Sequence, residues 1–203
     1  MEVHNVTADA ETFTSNAYLA LGARPTLVDA GAMPGVVDVV REYTDDLDAV
    51  VLTHQHGDHV GQLEAVLDAF DPELYAFGEH PRRTDALADG DEVAIGDERF
   101  DVVATPGHAD DHVSLVSDAS LFSGDVVVHD DGAFEDGSFG RTDMAGQSRE
   151  VLIESIRELL ERMPESVEHM YAGHGSVFRG DVRAVVERAL ERAERREPKY
   201  PDG

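Results

Sequence analysis

The segment Thr53-His54-Gln55-His56-Gly57-Asp58-His59 crowds three histidines and one aspartate into a single short stretch. It follows directly on the apolar run Ala49-Val50-Val51-Leu52, which reads as a short buried strand over Asp48–Leu52. His54 and His56 stand two apart, so on an extended backbone their imidazoles share a face. Asp58 and His59 come after Gly57, a residue that lets the chain turn and present a second face. A lone histidine is most often a surface or hydrogen-bonded residue. Four metal-type ligands at the end of an apolar strand are not explained that way.

Working outward, the same arrangement recurs three times. His108 follows Thr105-Pro106-Gly107 after a strand read at Arg99–Ala104. Asp125 follows Gly124 after a strand at Ala119–Ser123, and His174 sits in Gly173-His174-Gly175 after a strand at His169–Tyr171. Loops at the ends of separate strands can converge. The candidate ligands are therefore His54, His56, Asp58, His59, His108, Asp125 and His174. Five imidazoles and two carboxylates with no sulfur suit zinc, iron(II) or manganese and do not choose among them. Seven ligands are too many for one tetrahedral ion. They suffice for two ions with open positions, one carboxylate bridging. Two metals about 3.5–4 Å apart hold a hydroxide and polarise a carbonyl or phosphoryl oxygen. Coordination brings the pKa of water from about 15.7 down toward about 7, so no serine or cysteine nucleophile is needed.

The remaining chain alternates short strands with helices. Strands are expected at Ser15–Leu21, Pro25–Val28, Leu74–Phe77, Glu92–Ile95 and His112–Ser117. Helices are expected at Gly35–Tyr43, Gly61–Phe70, Ser148–Arg162 with Ser148 as N-cap, and Asp181–Arg195. Ala86–Asp91 reads as a surface loop and Arg196–Gly203 as a frayed tail. Two rounds of strands and helices without a linker imply one domain over residues 1–203, made of two similar halves.

The 203 residues carry a formal charge of −27, with acids spread in pairs such as Asp45-Asp46 and Asp110-Asp111 rather than in one tail. Lys199 is the sole lysine. Self-repulsion of that size fades in molar salt, where the Debye length is about 3 Å, so the charge reads as adaptation to a very salty cytoplasm. The same field argues against nucleic acid as a partner. There is no cysteine, which removes disulfides and thiolate chemistry. Neither a leader peptide nor an apolar run near the length of a membrane span is visible, so a cytoplasmic protein without a membrane partner is expected. Oligomeric state is not legible.

His-x-His-x-Asp-His followed by Pro-Gly-His, Gly-Asp and Gly-His-Gly resembles the metallo-β-lactamase superfamily, in order and over nearly the whole chain. The resemblance implies an α/β, four-layer αββα sandwich of two mixed sheets face to face with helices outside. It also implies that His54, His56 and His108 hold one metal, that Asp58, His59 and His174 hold the second, and that Asp125 bridges. Asp58 and Asp125 would position the metal-bound hydroxide. Zinc is the expected metal, with iron and manganese as alternatives.

Phe139-Gly140-Arg141-Thr142-Asp143 is similar to the glyoxalase II branch, the hydroxyacyl-thiol hydrolases, and to related persulfide dioxygenases. Arg141 reads equally as a substrate contact or as a loop ion pair with Asp143. Zinc lactamases lack this run and often use a cysteine ligand. Glyoxalase II proteins add a C-terminal helical domain whose basic residues hold glutathione. Only one helix is expected after His174, which leaves the thiol carrier open.

The expected activity is hydrolysis of a small thioester. Two alternatives are oxidation of a persulfide at a single iron and a non-catalytic metal-binding role; a nuclease is disfavoured by charge. His112 could orient a ligand or simply begin a strand, and Asp29 reads as support for the ligands. Tyr18 and Phe139 read as core residues or pocket lining. His4, His80, His129 and His169 have no assigned role.

Overall fold

The computed structural model describes residues Met1–Lys199. They form two compact units, one over Met1–Val102 and one from Val103 onward.

The first unit contains β1 (Glu2–Asn5), β2 (Tyr18–Leu21), β3 (Thr26–Val28), α1 (Val36–Arg41), β4 (Ala49–Val51), α2 (Gly57–Val60) and α3 (Leu63–Phe70). After these come β5 (Glu73–Ala76), β6 (Asp85–Ala86), β7 (Glu92–Ile95) and β8 (Glu98–Ala104), the last running into the second unit. Strands β1 to β6 make one sheet in chain order. Its β1–β2 and β2–β3 pairs are antiparallel and β3–β4–β5–β6 are parallel, so the sheet is mixed. All three residues of β4 are buried, as expected of an interior parallel strand covered on both faces. Leu63, Val66 and Leu67 form the buried stripe of α3 at helical spacing. They share a core with Val36 and Val40 of α1 and Leu27, Val50 and Leu74 of the sheet.

The second unit contains β9 (Val113–Val116), β10 (Ser120–Gly124), β11 (Val127–Val128), β12 (Ser138–Phe139), α4 (Arg149–Arg162), β13 (His169–Ala172), β14 (Phe178–Arg179) and α5 (Val182–Glu194). Its sheet runs β14-β13-β10-β9, with β10–β13 parallel and the β9–β10 and β13–β14 pairs antiparallel. Leu152, Ile156 and Leu159 of α4 pack with Val182, Val185, Val186 and Ala189 of α5 over Leu121 and Met170. Ser148 is the N-cap of α4, its hydroxyl accepting the Val151 N–H at 3.3 Å.

The strands and helices read from the sequence recur within a few residues of these bounds. The loop expected at Ala86–Asp91 is entered through β6, which pairs with β5 at Tyr75↔Asp85 and Ala76↔Ala86. Two exposed residues give no apolar alternation to read. Of the expected frayed tail, Arg196–Lys199 is described, and the Lys199 ammonium meets Asp131 and the Phe139 carbonyl at 2.5 Å each. Residues 200–203 lie outside the described residues. Among the described residues, no helix is long and apolar enough to cross a membrane.

Candidate functional site

In the first unit the ligands sit just beyond β4. His54 and His59 are buried, whereas His56 and Asp58 are partly open to solvent. The His56 carbonyl accepts the N–H groups of His59 at 2.9 Å and Val60 at 3.2 Å, which closes the single turn of α2. That turn redirects the chain. Gly57 lies inside the helix, so the special glycine dihedral expected there is not what produces the bend. His54 and His56 offer ligand atoms within 4.8 Å of each other, as do His54 with His59 and Asp58 with His59. The Ser15 N–H and hydroxyl both donate to the Asp58 carbonyl, at 3.2 and 3.1 Å, and steady the turn.

Asp29 organises this set. It follows β3 with φ 57°, a left-handed conformation that aspartate tolerates better than most side chains. Its Oδ1 accepts the Thr53 N–H at 2.8 Å, and its Oδ2 accepts the Thr53 hydroxyl at 2.7 Å and His59 Nδ1–H at 2.8 Å. With its own proton committed to Asp29, the Thr53 hydroxyl accepts from His54 Nδ1 at 3.1 Å. The network assigns the Nδ1–H tautomer to both histidines and keeps each Nε2 lone pair for a metal.

In the second unit Asp125 follows β10 directly. Its Oδ2 lies 3.3 Å from His108 Nε2 and 3.4 Å from His174 Nε2. The Asp125 N–H donates to His112 Nε2 at 2.9 Å. His112 must then donate through Nδ1 to the Thr105 hydroxyl at 2.8 Å, which passes its proton to Ser114 at 3.1 Å. His112 thus fixes the backbone of Asp125. His108 Nδ1–H donates to the Arg141 carbonyl at 3.0 Å. A carbonyl only accepts, so the Nε2 lone pair of neutral His108 faces a carboxylate oxygen. Either a proton on Nε2 or a metal ion held by both atoms satisfies that contact. The imidazole–carboxylate donor chemistry fits a divalent ion in both units.

Gly140 explains part of the Gly140-Arg141-Thr142-Asp143 run. A Cβ there would overlap the Asp125 carbonyl oxygen, and the Gly140 N–H donates to Val126 at 3.0 Å. The loop can lie on Asp125 only because the residue has no side chain. Gly140→Ala is expected to cost about 1–3 kcal/mol through overpacking and to lower metal content, as read by thermal denaturation and elemental analysis. Unchanged values in both would contradict this account. Gly175, beside His174, has φ 76° and likewise presses on the Asp130 carbonyl. Burial alone would raise the Asp130 pKa. Bonds from Ser176 and His129 outweigh it and hold the carboxyl below its ordinary range.

Arg141 pairs with Asp143 in a bidentate bridge of 2.8 and 3.0 Å, and bonding to that guanidinium lowers the Asp143 pKa. The loop ion pair is therefore formed. Tyr18 and Phe139 are core residues, 2% and 0% exposed. His4 stacks on Tyr43 and His129 on Phe178. The sequence reading passed over Thr53, Thr105 and Gln147, whose amide donates to the His108 carbonyl at 2.9 Å. A threonine beside His54 and another ahead of Pro-Gly-His were the available signals.

These ligand sets can be set beside known proteins. The model of the metallo-beta-lactamase superfamily matches residues 10–174, which span the ligands of both units. A hydroxyacylglutathione hydrolase of Vibrio cholerae is 32% identical over 152 residues, or 73% of this chain and 56% of that protein. The chain thus spans only about half the length of the curated relatives it matches. The crystal structure of BLEG-1 B3 metallo-beta-lactamase superposes with a TM-score of 0.70 at 26% identity, covering 88% of this chain and 94% of that one. TTHA1623 in a di-iron-bound form gives 0.64 at 28% identity, covering 81% and 89%. Mixed sheets with helices, ligands at strand ends and a family match across most of the sequence agree: the chain belongs to the metallo-beta-lactamase superfamily and falls on its glyoxalase II-like side.

Proposed function

We propose that the protein is a metal-dependent hydrolase of small thioesters, acting as one domain with a binuclear metal centre. The observation that carries this reading is the Asp125 carboxylate, with one oxygen 3.3 and 3.4 Å from the Nε2 atoms of His108 and His174. A carboxylate set among imidazoles in that way suits a bridging ligand. In this reading His54, His56 and His108 serve one ion, and Asp58, His59 and His174 serve the other. Zinc is the expected metal, and the donor set also accepts iron or manganese. When bound, the ions supply a hydroxide nucleophile at neutral pH and a Lewis acid for the carbonyl oxygen. Asp58 and Asp125 orient that nucleophile, and Asp29 and Thr53 hold His54 and His59 in the ligating tautomer. The thioester class is supported by the hydroxyacylglutathione hydrolase among the relatives, and the net charge of −27 disfavours a nucleic-acid substrate.

The test is an S-lactoyl-thiol hydrolysis assay on protein purified in high salt, before and after chelation. Turnover that disappears with chelator and returns with zinc is expected. A metal-loaded protein that cleaves no thioester would overturn the reading. So would a single iron with oxygen uptake on a persulfide.

A further inference from the structure

The protein spends most of its arginines on carboxylates. Arg24 pairs with Glu73, Arg82 with Glu64 and Asp68, and Arg188 and Arg192 with Asp136. Arg149, in the first turn of α4, does not follow this habit. Among the described residues it forms no ion pair. Its guanidinium lies over the Phe139 ring, 4.4 Å from the centroid, and its Nε donates to the Thr142 hydroxyl at 3.1 Å. These two contacts orient the group without neutralising it, and its terminal nitrogens have no protein acceptor among the described residues.

Its place in the second unit is defined from both sides. Thr142, which holds Arg149, adjoins Arg141, whose carbonyl takes the His108 Nδ1–H. Ser148 and Gln147, the two preceding residues, bind the carbonyls of Gly107 and His108, each at 2.9 Å. Arg149 is therefore braced on the same loops that set the orientation of a metal-type histidine. Burial first, and the nearby Arg196 guanidinium second, hold its pKa below the ordinary arginine range, outweighing the opposing pull of the Glu150 and Asp143 carboxylates, neither of which pairs with it. In a chain of charge −27, an oriented arginine with no carboxylate bonded to it has the chemistry to take an external anion.

We propose that Arg149 anchors substrate by binding a carboxylate on the thiol portion of the thioester, an inference that rests on the function proposed above. A planar guanidinium fork matches a carboxylate, and Arg141 with Asp143 shows that pairing on the same loop. A small carboxylate-bearing molecule also meets far less of the protein's negative field than a polyanion does.

The experiment measures calorimetric binding of S-hexylglutathione, an unreactive thioether with free carboxylates, and of its diethyl ester. Both are applied to zinc-loaded wild type, Arg149→Gln and Arg149→Lys, with metal content and melting temperature checked for each protein. Wild type is expected to bind the acid, Arg149→Gln about tenfold more weakly, and Arg149→Lys at an intermediate level. The diester should not distinguish the three. In turnover, Arg149→Gln should raise KM for the acid thioester by a similar factor and leave kcat unchanged. Equal binding of the acid by wild type and Arg149→Gln overturns the proposal, as does an equal loss for the diester. If Arg149→Gln does not fold, Arg149→Lys decides: weaker binding of the acid than in wild type with diester binding unchanged supports the proposal, and acid binding equal to wild type, or an equal loss for the diester, overturns it. Because binding is read without chemistry, a wild type that binds the acid through Arg149 but cleaves no thioester refutes the hydrolase reading alone.

Discussion

Asp125→Ala is expected to reduce turnover at least about a thousandfold and to remove at least one metal per chain. The magnitude follows from losing several kcal/mol of metal-supplied charge stabilisation, at about 1.4 kcal/mol per tenfold in rate. Among the described residues of the second unit, Asp125 is the only carboxylate seen against both His108 and His174, at 3.3 and 3.4 Å. No nearby side chain replaces it, because its neighbour Val126 is an apolar core residue and His112 is committed to the Asp125 N–H. Alanine keeps that N–H and therefore the His112 contact, so the fold should survive. The checks are kcat for a lactoyl thioester, elemental analysis and a melting curve on the same preparation. Retained turnover with full metal content would remove Asp125 from the role proposed for it.

Asp29→Asn is expected to weaken metal affinity by about 10–100-fold without touching any ligand. Asp29 accepts three hydrogen bonds with its two carboxylate oxygens, from the Thr53 N–H, the Thr53 hydroxyl and His59 Nδ1–H. Asparagine has one acceptor oxygen, so its amide must point N–H at a donor on one side. Either Thr53 loses its N–H acceptor, or the hydroxyl and His59 lose theirs. Releasing the hydroxyl also frees His54 to change tautomer through the 3.1 Å contact. Asparagine is preferred to alanine because it tolerates the φ of 57°, which keeps backbone strain out of the comparison. Competition with a metal-sensitive dye measures the effect. Wild-type affinity in the variant would show that the Nδ1 partners do not set ligand readiness.

Much of this arrangement was legible because ligands follow strands. Ala49–Val51 is a run of three buried residues that any apolar reading finds, and His54 to His59 come straight after it. Ser148 before an amphipathic run announced α4 in the same way. What stayed hidden depends on partners distant in sequence. Asp29 reaches His59 across 30 positions, and His108 reaches the Arg141 carbonyl across 33. A backbone carbonyl carries no sequence signal at all. The helical turn α2 was missed because Gly57-Asp58-His59-Val60 is too short to show a period, and its closure depends on the His56 carbonyl. Gly140 was readable as part of a motif. Its reason, close packing on Asp125, was not.

The proposed hydrolase requires two divalent ions, and the number of metals per chain tests that requirement most directly. Elemental analysis of protein purified in high salt, dialysed free of loosely bound ions and quantified by amino-acid analysis, should give a ratio close to two divalent metals per chain. A ratio close to one, or close to zero after zinc loading, would contradict the account.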